Sequence, residues 1–76
     1  MEYEILKEFF SPCAGDMFPL SQEITEQEVA DPEQYVRDLF KNEKDPQFIV
    51  TKNGESLVVE ARLVSEAKHR FTFTEI

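Results

Sequence analysis

Apolar and polar residues alternate most cleanly near the C-terminal end, where Phe48-Ile49-Val50-Thr51-Lys52 and Glu55-Ser56-Leu57-Val58-Val59 flank the dipeptide Asn53-Gly54. Asn-Gly tolerates the positive φ that both central positions of a type I′ turn require, so this stretch predicts a hairpin. Such a turn sets Lys52 opposite Glu55, Val50 opposite Leu57 and Phe48 opposite Val59. Phe48, Val50, Leu57, Val59, Ala61 and Leu63 then share one face. A third strand follows over His69–Ile76, with Phe71 and Phe73 set between Arg70, Thr72 and Thr74. Pairing Leu63 with Phe71 and Ala61 with Phe73 keeps both rings on the core face. It also avoids placing Arg62 opposite Arg70, a like-charge pair that costs stability. The expectation is a three-stranded meander with a tight connection around Glu66-Ala67-Lys68. Its other face, with Gln47, Thr51, Ser56, Glu60, Arg62, Thr72 and Thr74, is expected to be wet except for a cross-strand pair of Ile49 and Val58.

Upstream the periodicity changes. Asp31-Pro32-Glu33-Gln34 carries a helix N-cap, a proline where the missing N–H does no harm, an acid at the positive end of the helix dipole and a capping-box glutamine. The helix is expected to run to about Asn42, with Tyr35, Val36, Leu39 and Phe40 on the apolar face and Glu33, Arg37, Asp38 and Lys41 outside. Asp45-Pro46 prevents continuation. Tyr3–Phe10 satisfies both a strand and a helix period. The strand reading is preferred because Tyr, Ile and paired Phe suit a pleated surface, no N-cap precedes them, and Ser11-Pro12 stops the run. Ile24–Val29 alternates weakly and reads as a charged edge strand. Residues 11–23, with two prolines and one of the two glycines, read as a loop, and Met17, Phe18 and Leu20 give it something to pack.

Together these elements predict one α+β domain over residues 1–76. It is a small antiparallel sheet of four or five strands with one helix packed across a single face, in the order β(β)αβββ.

Charge changes the picture more than composition does. Residues 1–40 hold ten acids against Lys7 and Arg37, whereas residues 41–76 hold six charges of each sign, so the whole net charge of −8 belongs to the first half. Nucleic acid and anionic membranes demand clustered Lys and Arg, and are poor partners for this chain. The N-terminus leads into no long apolar run, which argues against a signal peptide or membrane span. A lone cysteine excludes an intrachain disulfide framework and fits a reducing, cytoplasmic setting.

Candidate chemistry is thin. Cys13 and His69 are the only residues of their types, and nothing in their spacing brings them together as a nucleophile and base. One Cys and one His are too few for zinc, and Asp16 to Glu28 does not match a calcium loop. No cofactor or metal is expected, and no phosphate-binding glycine motif is present. What exceeds the needs of a small core is aromatic: Phe9, Phe10, Met17 and Phe18 cluster around the loop, beside acids. The expected function is therefore a non-enzymatic protein-interaction module. Its candidate contact residues are Phe10, Cys13, Asp16, Met17, Phe18, Glu23, Glu26 and Glu28, and its partner a basic or mixed protein surface. Self-association through an exposed edge, either Phe73's strand or Ile5's, belongs to the same reading. The alternatives are an acidic mimic of nucleic acid that blocks a nucleic-acid-binding protein, and a small enzyme or redox protein using Cys13.

Overall fold

A computed structural model describes residues 1–11, 19–64 and 67–76. The elements are β1 (Glu2–Phe10), β2 (Ser21–Glu28), α1 (Pro32–Leu39), β3 (Gln47–Asn53), β4 (Ser56–Arg62) and β5 (Lys68–Glu75). All five strands join one antiparallel sheet in the order β2-β1-β5-β4-β3. The architecture is the expected α+β one, and residues 2–10 form a strand. Among the described residues, no helix is long and apolar enough to cross a membrane.

Insertion of β1 between β2 and β5 settles where the edges lie. The strands of Ile5 and Phe73, expected as possible edges, are the second and third of the sheet, and the edges are β2 and β3. The physical reason is burial. Ile5 and Phe73 pair directly and are both fully buried, so each needs sheet on either side. The second strand also starts earlier than expected, at Ser21. The Leu20 N–H donates to the Phe9 carbonyl at 2.6 Å and closes the β1–β2 ladder.

Odd-numbered residues of β1 and β5 and of β4, with Phe48 and Val50 of β3, turn toward the helix. Ile5, Val59, Ala61, Phe71 and Phe73 join Val29, Val36 and Phe40 in the core, with Tyr3, Tyr35, Phe48, Leu57 and Leu63 packed around it. Asp31 caps the helix by accepting from the N–H groups of Glu33 at 3.1 Å and Gln34 at 3.3 Å. Gln34 does not complete a capping box, because its side-chain amide donates to Asp38 Oδ1 at 2.8 Å instead. The helix is shorter than expected. It ends at Leu39 with Phe40 as its cap, and Leu39 faces solvent while Val36 is fully buried. Asp31→Ala is expected to cost about 1 kcal/mol in urea denaturation. A cost near zero would show that the cap does not hold this helix.

The meander differs in register. Of the two turn residues, Gly54 alone is left-handed (φ 63°) and Asn53 still belongs to β3. The loop is therefore Gly54-Glu55 with glycine first, the type II′ pattern, and it spares Asn53 a positive φ. Lys52 faces Leu57 rather than Glu55, and Phe48 faces Ala61 rather than Val59. The slip is an even number of residues, so every side chain keeps its face.

Between β4 and β5 the shift is larger. Val59 faces Phe71, Leu57 faces Phe73, and Arg62 stands opposite Lys68. The connection is a wider one, closed by the Leu63 N–H donating to the Ala67 carbonyl at 3.0 Å. The like-charge pair is tolerated because its members turn apart. Arg62 is exposed and reaches Glu60 at 3.7 Å, while the Lys68 ammonium sits 4.7 Å from the Phe10 ring centre. In return Glu60 faces Arg70, and the hydroxyls of Ser56 and Thr74 hydrogen-bond at 3.0 Å. Ile49 and Val58 are not paired: Ile49 faces Glu60, and Val58 faces Thr51 and Thr72.

Candidate functional site

Two surfaces stand out, and β1 contributes to both. On the face away from the helix, Phe10 is 2% exposed and Glu8 and Lys68 are 7% exposed, although that face was expected to be wet. The guanidinium carbon of Arg70 lies 4.9 Å from the Phe10 ring centre, so two cations stack on one ring. Glu8 accepts from Arg70 Nε at 2.9 Å and from the Gln22 amide at 3.0 Å. The Arg70 hydrogen bond, helped by Gln22 and the positive charges of Arg70 and Lys68, holds the Glu8 carboxyl below its ordinary value although burial pushes the other way. This cluster is a structural clasp joining β1, β2 and β5.

The second surface is the acidic edge and the hollow beside it. Lys7, Phe9, Ser21, Glu23, His69 and Phe71 line a hollow of about 470 Å³ on the helix side of the sheet, with some lining from Glu8 and Gln22. Its base is aromatic. The rings of Phe9 and His69 are 4.8 Å apart, and Phe40 stacks on His69 at 5.0 Å. Burial pushes the His69 imidazole below its ordinary value, which Glu43 only partly opposes. Lys7 and Glu23 face each other across β1 and β2 at the rim.

Beyond the hollow, every side chain of β2 except the half-buried Thr25 is exposed. Glu26 and Glu28 stand directly opposite Glu4 and Glu2, placing four carboxylates on one corner of the open face. Of these, Glu28 approaches the N-terminal amine at 3.6 Å. Like charges placed this way cost stability, so the corner holds a concentrated negative field.

Of the residues singled out by sequence, Glu23, Glu26 and Glu28 are thus brought together along β2, with Glu23 on the helix side and the other two on the open face. Phe10 is a buried ring beneath two cations, not a member of an exposed patch rimmed by acids. Cys13, Asp16, Met17 and Phe18 lie outside the described residues. Lys7, Phe9, Ser21 and Phe71 enter the hollow without having been chosen. The pairing of β1 with β5, which assembles it, joins segments some sixty residues apart, and no local pattern encodes that contact. Among the described residues, no group of three or more His, Cys, Asp or Glu is placed to hold a metal ion.

Fold and surface together define a small α+β domain whose sheet is covered by a helix on one face and ends in an acidic edge. Compared with protein-family models, with curated proteins and with solved structures, the chain matches none.

Proposed function

We propose that this protein is a non-enzymatic, cytoplasmic interaction module that receives an extended, basic segment of a partner protein along β2. The observation that carries the reading is the coincidence of three features at one edge. Among the described residues β2 has a strand on one side only, Glu23, Glu26 and Glu28 are exposed along it, and the aromatic hollow opens beside it. Strand addition of this kind draws affinity from backbone hydrogen bonds and specificity from pockets for alternate side chains. Lys or Arg of the partner answers the carboxylates, and an apolar side chain answers Phe9, His69 and Phe71. The single cysteine of the chain fits the reducing compartment.

The test is retention of partners from native lysate on immobilised protein, compared with a Glu23→Lys/Glu26→Lys variant. A specific partner is expected to lose roughly tenfold in affinity, the sum of two reversed exposed charge interactions. Equal retention by both proteins, or no retained partner at low salt, overturns the reading.

The four-carboxylate corner of Glu2, Glu4, Glu26 and Glu28 favours a second reading, an acidic mimic of nucleic acid. That reading expects several nucleic-acid-binding proteins to elute together at modest salt, because the attraction is screened. An interface anchored in the hollow persists at higher salt.

A further inference from the structure

The opposite edge of the sheet differs from β2 in every respect that governs strand pairing. Residues 47–53 of β3 read Gln-Phe-Ile-Val-Thr-Lys-Asn: no acid, no proline and one base. Ile49 and Val50 are 43% and 42% exposed. Edges are ordinarily protected by charge, proline, bulges or a cover, and among the described residues β3 has only Lys52 near its end.

We propose that β3 is the seam of a homodimer, in which two copies pair antiparallel about a two-fold axis at Val50 to form one continuous ten-stranded sheet. Backbone geometry allows it. In a hairpin with a two-residue loop the flanking residues form a hydrogen-bonded pair, and pairs alternate from there. Asn53, Thr51, Ile49 and Gln47 therefore turn their backbone groups to β4, and Lys52, Val50 and Phe48 turn theirs outward. Val50 is the middle residue of the strand, so pairing about it uses the full length. Val50 meets Val50, Phe48 meets Lys52, Ile49 meets Thr51, and Gln47 meets Asn53. No like charges are opposed in this register.

Among the ways in which two copies can pair edge to edge, electrostatics selects this one. The molecule carries −8, which resists self-association in general. Pairing β2 with β2 gathers six carboxylates in the seam. Pairing β3 with β3 puts the two acidic edges at opposite ends of the sheet, nine strand spacings or about 40 Å apart, several Debye lengths at physiological salt. Pairing β2 of one copy with β3 of the next leaves an edge free at each end and propagates into a filament instead of closing.

Sedimentation from low to high micromolar protein, with amide hydrogen exchange on the same samples, tests the dimer without any substitution. The expected result is a mass rising from 8.9 kDa to twice that value and stopping there. Protection should be gained at the Phe48, Val50 and Lys52 amides. Val50→Lys is expected to raise the dissociation constant roughly tenfold or more through like-charge opposition across the axis. A monomer at every concentration overturns the proposal. So does growth beyond a dimer, or protection gained on β2 instead of β3.

Discussion

Phe73→Ala is expected to leave too little stability for a folded domain at room temperature. The ring is fully buried and meets Tyr3 and Tyr35 edge-on, with centroids 5.9 and 5.8 Å away and interplanar angles of 87° in both contacts. Ile5 and Leu57 flank it across the neighbouring strands. Truncating a buried Phe costs about 3–5 kcal/mol, transfer and cavity together. A single core of this size supplies about 3–5 kcal/mol in all. The two magnitudes meet, so circular dichroism should show a chain largely unfolded in buffer, or one whose melting is broad and early. A cooperative transition with a loss below about 1 kcal/mol would mean that the cavity collapses and that Phe73 is not central.

Arg70→Met is expected to be nearly as damaging, for a different reason. The substitution keeps an apolar stem near Phe10 but leaves the buried Glu8 carboxylate without its ion-pair partner, answered by the Gln22 hydrogen bond and the charge of Lys68. Breaking one side of a buried ion pair costs about 3–5 kcal/mol, and about 2–3 kcal/mol is the better expectation here because Arg70 is one-third exposed. Glu8→Gln in the same chain should recover part of the loss, since an amide needs no cation.

The pH dependence separates these contributions. In the native protein the Glu8 carboxyl is held below its ordinary value of 4.5, chiefly by the Arg70 hydrogen bond. Its contribution is therefore complete above pH 4.5 and fades as pH falls through the lowered native value. Without Arg70 the largest cause of the lowering is gone, and the native value moves up. The variant's deficit relative to the native protein should then shrink on acidification from neutral pH, as Glu8 takes up a proton. A deficit that is the same at pH 7 and pH 4, or a double variant no better than Arg70→Met, would refute a buried-charge origin.

Local chemistry made some of this architecture readable. Asp31-Pro32 announces the helix because a cap and a pre-set φ are properties of adjacent residues. Asn53-Gly54 marks the hairpin because only a turn welcomes that dipeptide. Phe71 and Phe73 belong to one face because side chains alternate whatever the register. The helix end was less legible, since Phe40 and Lys41 continue the period while the chain has already left the helix.

The candidate site was readable only in part. Glu26 and Glu28 on a charged edge strand could be anticipated from alternation and from the absence of bases nearby, whereas Glu23, read as the end of the loop, joins them because β2 starts earlier, at Ser21. The hollow could not, because Phe9, His69 and Phe71 meet only through the pairing of β1 with β5. Phe10 illustrates the same limit. An aromatic next to acids suggests an exposed patch, yet the strand pairing brings Lys68 and Arg70 over its ring and buries it.

By itself, then, the sequence determined what depends on neighbours and on parity: the helix start, the hairpin's place, the two faces of each strand and the confinement of the net charge to the first half. Tertiary structure alone decided the strand order, the registers, the two edges and the Glu8–Arg70 clasp. Local propensities constrain a few adjacent dihedral angles, and parity survives any even slip in pairing. The choice among those slips, and the insertion of β1 between β2 and β5, rests on burying Ile5, Val59 and Phe73 together, a free energy that belongs to the whole sheet.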